Sequence, residues 1–181
     1  MMNTIIPGDR VLIHRSFGQV KRGSIVLFQY PYNPEFRSNS EYVLHRVVGL
    51  PGETIQLRGN VIYINGQPLD ELRVSAKDAG PDDPLVEIST EGKGPYRVFY
   101  TEPIEYPDAE ARGFFATNSP FKIPNDSFFL LGDNRDNSED SRYRGPVPRE
   151  QIWGELALIY YSEAETPDGS IRWERIFKRV N

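Results

Sequence analysis

The feature of this sequence that most constrains its fold is a series of short apolar runs separated by turn residues. The runs are rich in β-branched and aromatic side chains, and the chain's fifteen glycines and fifteen prolines supply turns between them. No run approaches the roughly 18 apolar residues of a membrane span. The pattern therefore predicts a mainly β protein. The expected strands are residues 10–14, 24–30, 42–48, 54–57, 61–64, 127–131 and 152–161.

Residues 70–125 differ in character from the rest of the chain. They are rich in proline, glycine, aspartate and glutamate, and their apolar pieces are short. The strand pattern returns at residue 126. We therefore expect an antiparallel β core made of residues 1–69 and 126–181, interrupted by a smaller β-rich lobe at residues 70–125.

Composition excludes several classes of function. The net charge of −5 and the pI near 5.2 argue against a nucleic-acid partner. The chain has no cysteine, which excludes disulfides, thiolate metal sites and a cysteine nucleophile. Its two histidines are too few for a multi-histidine metal site. The composition therefore predicts no cofactor and no metal site built from cysteine or histidine.

The densest polar stretch is the loop of residues 132–145, with the sequence GDNRDNSEDSRYRG. It directly follows the apolar run 127–131, which places its start near buried structure. Three interpretations stay open on these residues: a structural hydrogen-bond network, a catalytic or binding loop, and a calcium site. The oxygen ligands for calcium would be Asp133, Asp136, Asn137 and Asp140, although their spacing lacks the order of a known calcium loop.

His45 is the second candidate functional residue, because it lies in the middle of an expected strand. A core histidine with a satisfied hydrogen bond and a catalytic histidine are both compatible with this position. His14 ends a strand and is interpreted as a surface residue.

Four segments, taken in order, resemble the type I signal peptidase family of the bacterial kind. The resemblance extends over nearly the whole chain outside residues 70–125, and the last segment is the most specific. The matching segments are residues 1–9 (MMNTIIPGD), 22–28 (RGSIVLF), 42–53 (YVLHRVVGLPGE) and 132–145.

The resemblance implies a signal-peptidase-like β core and a serine endopeptidase that removes signal peptides after small residues. It implies two partners, the signal peptides of exported preproteins and a membrane lipid surface. It places the catalytic region on the outer side of the bacterial cytoplasmic membrane. The oligomeric state is not predicted.

The sequence departs from the family pattern at two points. Counting back from Gly8 and Asp9, the family's nucleophilic serine falls one position before Met1. We therefore expect a fragment that lacks both this serine and a preceding membrane anchor. The second departure is His45, which occupies the position of the family's general-base lysine. Signal peptidases of the endoplasmic reticulum and of archaea have histidine there.

Residue by residue, the resemblance assigns His45 as the general base. Ser138 or Asp140 would orient its ring, and Arg142 would hold Asp140. A histidine with an ordinary pKa would be mostly neutral near pH 7.5. The cleavage rate is therefore expected to rise with pH through a pKa of 6 to 7.

The same resemblance implies shallow apolar pockets for the small residues of a signal peptide. The peptide would bind extended along the strand that carries the base. The residues expected to line these pockets are Met1, Ile5, Val43 and Leu44.

Phe17, Trp153 and Trp173 are candidates to face the lipid surface, while burial of both tryptophans in the core is the alternative. Two other functions also stay open. One is a catalytically inactive relative that acts in the assembly of exported proteins, as the altered base and the missing serine suggest. The other, a self-cleaving repressor-type protease, is disfavoured because the chain has no DNA-binding segment and is acidic.

Overall fold

The protein is described by a computed structural model, and the strands found in it match the expected ones closely. The residues described are 1, 4–15, 19–30, 42–76, 87–91, 94–101, 113–117, 119–164 and 169–180. They form thirteen strands: β1 (Asp9–His14), β2 (Ile25–Gln29), β3 (Tyr42–Gly49), β4 (Thr54–Arg58), β5 (Val61–Ile64), β6 (Gln67–Pro68), β7 (Leu72–Ala76), β8 (Glu87–Glu91), β9 (Arg97–Thr101), β10 (Phe121–Lys122), β11 (Ser127–Leu131), β12 (Val147–Pro148) and β13 (Ile152–Ser162). One short helix, α1 (Ser141–Arg144), and 3-10 turns at Arg149–Gln151 and Trp173–Arg175 complete the described elements.

The main sheet has six strands in the order β1-β13-β2-β3-β11-β12, and every pair in it is antiparallel. A second sheet, also antiparallel, has the order β10-β4-β5-β6. The predicted mainly antiparallel β fold is therefore confirmed. A two-residue turn joins β5 to β6, in which Asn65 and Gly66 both have positive φ, at 51° and 82°.

Strand β11 is buried on both faces and joins two hydrophobic clusters. Phe129 and Leu131 pack into a cluster with β4 and β5, whereas Phe128 and Leu130 pack into one with β2 and β3. Because side chains alternate along a strand, each face of β11 contributes to one cluster. This double burial fixes the point at which the polar loop of residues 132–145 begins.

The third sheet lies within the range expected to form an inserted lobe. It has the order β8-β7-β9, and β7 runs parallel to β9. Contacts that tie the same range to the rest of the chain include the pairing of β10 with β4 and the bridge of Phe99 to Asn134. The division into a core and a lobe stays a prediction.

A buried ion pair connects the third sheet to the polar loop. Glu71, just before β7, accepts hydrogen bonds from both terminal nitrogens of Arg135, and both side chains are almost completely buried. Tyr96 also donates to Glu71, and Arg135 donates to the Gly132 carbonyl. The pair therefore anchors the first turn of the loop.

We expect Glu71→Gln to lower the free energy of unfolding by about 3–5 kcal/mol, because it leaves the buried Arg135 charge without its counter-ion. Urea denaturation measures this change. Glu139→Gln is the matched control, since Glu139 forms an exposed ion pair with Arg144 and its loss should cost below about 1 kcal/mol. Equal losses in the two variants would contradict the anchoring role of Glu71.

Candidate active site

His45 lies on β3 and is almost completely buried, with 4% of its surface exposed. Its Nε2 atom lies 3.5 Å from the Oγ atom of Ser138, at the long end of hydrogen-bond distances. Its Nδ1 atom is buried and has no hydrogen-bond partner among the described residues. The ring of Phe28 packs beside it at a centroid distance of 5.4 Å. The Ser138 contact fits both interpretations of this residue, a core histidine with a satisfied hydrogen bond and a catalytic one, while Nδ1 is left without a partner among the described residues.

Burial sets the charge of His45. Removal from water lowers the pKa of His45 to about 4, and the nearby Asp140 carboxylate offsets this only in part. This value is lower than the 6 to 7 expected from the sequence, since a strand position gave no measure of burial. At neutral pH the ring is uncharged and holds one proton on one of its two nitrogens.

The approach of Ser138 to His45 depends on the absence of a side chain at Gly132. A Cβ atom added at Gly132 would lie 2.2 Å from the Ser138 Oγ atom and 2.7 Å from its Cβ atom. It would also lie 3.7 Å from the Cδ2 atom of His45. Gly132 thus provides the space in which the serine hydroxyl meets the imidazole.

Asp140 caps α1 and is held by Arg142. Its carboxylate accepts the Arg142 Nε and Nη2 hydrogen bonds at 2.8 and 2.9 Å, and the Gly132 amide donates to it at 3.1 Å. Burial alone would raise the pKa of Asp140, but the Arg142 guanidinium overcomes this and holds the pKa below its usual value. Of the two residues expected to orient His45, Ser138 contacts the ring, and Asp140 acts on it through its charge.

A second buried ion pair joins β3 to the polar loop. Arg46 donates to both oxygens of Asp133, at 2.8 and 2.7 Å, and both side chains are fully buried. The Thr4 hydroxyl donates to the same carboxylate at 2.6 Å. Asp133 and Asp140 are thus both engaged by arginines, which does not fit the calcium interpretation of this loop.

The first turn of the chain is held against the same loop. The Met1 carbonyl accepts the amides of Thr4 and Ile5, and the Met1 amino group lies close enough to His45 to interact with it electrostatically. Burial lowers the pKa of this amino group, while the Asp133 and Asp140 carboxylates raise it.

The last described segment clamps this turn from the other side. Arg175 forms a bidentate ion pair with Asp9, at 2.9 and 2.5 Å, and Arg172 donates to the Pro7 carbonyl at 2.9 Å. Gly8 has φ of +85°, and a Cβ atom there would collide with the Glu163 carbonyl. The position of Met1 near His45 is therefore fixed from both ends of the chain.

The expected substrate-binding residues are all half-buried: Met1, Ile5, Val43 and Leu44. Val43 and Leu44 pair with Phe28 and Leu27 of β2. Strand β11 pairs with β3 only from Arg46 onwards, so no described strand occupies the other edge of β3 beside His45. That edge offers backbone groups to an extended peptide.

The tryptophans expected at a lipid surface are not core residues. Trp153 is 43% exposed and Trp173 is 72% exposed, so the alternative of two buried tryptophans is wrong. Phe17 lies outside the described residues.

His14 is exposed, as expected. No helix in the described ranges is long and apolar enough to cross a membrane.

The sequence pattern of the family described as Signal peptidase, peptidase S26, matches residues 1–161. The chain belongs to this signal peptidase family. The match includes the segment carrying His45 and the whole polar loop, and therefore confirms the resemblance found in the sequence.

Individual signal peptidases are similar to this chain over most of its length. A signal peptidase I of Leptolyngbya laminosa is 31% identical over 167 residues, covering 89% of this chain and 64% of that protein. One of Buchnera aphidicola is 28% identical over 232 residues, covering 97% and 72%. The chain thus spans less than two thirds of the length of the Leptolyngbya signal peptidase.

A crystal structure of a signal peptidase I from Enterococcus faecalis V583 is 27% identical to this chain. The alignment covers 78% of this chain and all of that one, with a TM-score of 0.45.

Several residues that hold this candidate site together were missed by sequence reasoning: Thr4, Asp9, Arg46, Glu71, Arg135 and Arg175. The one available signal was Arg46, since an arginine in an apolar strand requires a buried acidic partner. The identity of that partner depends on contacts between residues far apart in the sequence, which spacing along the chain does not reveal.

We expect the stability of the protein to fall as the pH drops from about 6.5 to 4, because unfolded His45 binds a proton that the folded residue, with a pKa of about 4, excludes. At pH 4.5, proton binding to His45 in the unfolded chain should lower the free energy of unfolding by about 2 kcal/mol. It is measured by urea denaturation at pH 7.5 and 4.5, with His45→Gln as the variant that cannot titrate. Identical pH-dependent losses in the two proteins would show that folded His45 is not held neutral.

Proposed function

We propose that this chain carries the catalytic site of a serine endopeptidase that removes N-terminal signal peptides from exported proteins after small residues. The observation that carries the proposal is the buried, neutral His45, with its Nε2 atom 3.5 Å from the Ser138 hydroxyl inside the family's loop. Membership of the signal peptidase family supports the choice of substrate.

His45 acts as the general base, and its two nitrogens have different tasks. Nε2 carries the proton and donates to the Ser138 Oγ atom, which fixes the ring. Nδ1 then holds the lone pair, and it is the nitrogen without a hydrogen-bond partner in the described part of the chain. It accepts the proton of the nucleophile during attack and returns it to the leaving amine.

The nucleophile in this proposal is a serine whose carbonyl carbon is bonded to the Met1 nitrogen, at the position that the family pattern gives. The electrostatic interaction between the Met1 amino group and His45 supports this placement. The hydroxyl attacks the scissile carbonyl, and the amide of the same serine donates to the oxyanion that forms.

Asp140 and Arg142 complete the proposed machinery as positioning residues. The imidazolium that forms during attack is stabilised by the nearby Asp140 carboxylate, and Arg142 fixes that carboxylate in place. An inactive relative that acts only in assembly has no chemical need for such a network, so active catalysis is favoured.

The substrate lies along the open edge of β3 in an extended conformation. Backbone pairing with residues 42–45 explains tolerance of varied sequences, while pockets lined by Met1, Ile5, Val43 and Leu44 select small side chains. The site works at the outer face of the bacterial cytoplasmic membrane, with the exposed Trp153 and Trp173 towards the lipid.

The chain extended by Gly-Ser before Met1 should cleave a signal-peptide substrate, and His45→Ala should lower kcat by about 100- to 10,000-fold. His14→Ala is the matched control and should leave kcat unchanged, since His14 is exposed on β1. Because burial, the largest cause of the lowered pKa of His45, persists when Met1 is acylated, the parent's rate should change little between about pH 6 and 8.

A lysine base provides the contrast in pH profile. His45→Lys should give a rate that rises with pH through this range, since lysine must first lose its proton. Full activity of His45→Ala would show that His45 is not the base. An inactive Gly-Ser parent that still binds the substrate would favour the assembly function instead.

Gly132→Ala should lower kcat by about 10- to 100-fold, because its methyl group displaces the Ser138 hydroxyl from His45. The same substitution made in a Ser138→Gly background should cost little more than Ser138→Gly alone, since the displaced group is already absent. Steady-state kinetics of the four proteins tests this coupling. Strictly additive losses would show that Gly132 does not act through Ser138.

A further inference from the structure

A basic cavity of about 270 Å³ lies beside the first turn of the chain, between β9 and the last described residues. It is separate from the proposed peptide-binding edge of β3. Thr4 lines it and also donates to Asp133, so only one residue separates the cavity from the catalytic loop. The charged lining residues are Arg97, Arg175, Lys178 and Arg179.

The charge of this basic cavity is of one sign. The described lining residues include no acidic side chain. Arg175 is neutralised by Asp9, whereas Lys178 and Arg179 are exposed and form no ion pair with a described residue. On a chain with a net charge of −5, such a concentration of positive charge selects anions locally.

Two exposed aromatic side chains belong to the same terminal segment. Trp173 is 72% exposed and Phe177 is 74% exposed. Phe177 has φ of 59°, an unfavourable conformation for a bulky residue. The Phe177 amide donates to the Ile159 carbonyl of β13, and the Ile159 amide donates to the Lys178 carbonyl, so the backbone is held in this conformation. The strained backbone keeps the apolar Phe177 ring exposed to water, where the ring adds no stability to the monomeric fold.

We propose that the basic cavity binds the phosphate group of an anionic membrane lipid, while Trp173 and Phe177 enter the lipid interface beside it. Lys178 and Arg179 supply the charge for the phosphate, and aromatic rings are favoured at the headgroup level of a bilayer. The inference rests on the membrane association proposed above and adds its lipid class and its binding residues. Lipid binding is measured without any assay of cleavage. The inference can therefore fail while the proposed peptidase activity is retained.

Co-sedimentation with vesicles tests the proposal. The 181-residue chain should bind vesicles of phosphatidylglycerol and phosphatidylcholine more tightly than vesicles of phosphatidylcholine alone. Removing both charges in Lys178→Gln/Arg179→Gln should weaken binding to the anionic vesicles by about 25-fold, or roughly fivefold per charge. Thermal unfolding should be unchanged, since both side chains are exposed.

The matched control is Lys21→Gln/Lys122→Gln, which removes two exposed charges that do not line the cavity. It should bind anionic vesicles nearly as the parent does. Equal weakening in the two double variants would overturn the proposal, because net charge alone would then explain binding. Binding that neither double variant weakens would overturn it as well and would leave only aromatic insertion.

Soluble glycerol 3-phosphate distinguishes two sources of the phosphate group, a membrane lipid and a free phosphate ester. Calorimetric binding that is lost in Lys178→Gln/Arg179→Gln supports a phosphate site in the cavity, whichever source fills it. If Trp173→Ala also weakens vesicle binding and leaves glycerol phosphate binding intact, then a lipid is the source. Absence of charge-dependent binding to both vesicles and glycerol 3-phosphate would refute the site.

Discussion

The proposed active site of this protein depends on the buried ion pair between Arg46 and Asp133. It joins β3, which carries His45, to the loop that carries Ser138, and the Thr4 hydroxyl binds the same carboxylate. Removing either charge would leave its partner buried without compensation, at several kcal/mol. Three segments distant in sequence are thereby held at one point, and the chemistry of the site depends on their relative positions.

The same burial that makes the ion pair necessary also sets the protonation of His45, the proposed base. A lysine at position 45 would need its pKa lowered by roughly three units to be neutral near pH 7.5, whereas a histidine is already mostly neutral there. Burial lowers the pKa of His45 to about 4, so the ring is readily available as an acceptor but less able to hold a proton. The Asp140 carboxylate counteracts this loss of basicity and is itself fixed by Arg142.

Much of the fold could be predicted from local patterns. Alternating and fully apolar runs located β1 to β5, β11 and β13, and the resemblance identified His45 and Ser138 as neighbours. Local patterns failed where a property depends on packing. The depth at which His45 is buried, the Glu71–Arg135 pair and the Arg175–Asp9 clamp all arise from contacts between distant segments. A division into core and lobe likewise needs contacts, such as the pairing of β10 with β4.

The protonation of the His45 ring is the most direct test of the proposed mechanism. The chain has only two histidines, so ¹⁵N NMR of labelled protein resolves both, and His14→Gln assigns them. A neutral base oriented by Ser138 requires that His45 carry its proton on Nε2 and remain uncharged down to about pH 5, consistent with a pKa near 4. A His45 signal that titrates near 6.5, or a neutral ring protonated on Nδ1, would contradict this mechanism.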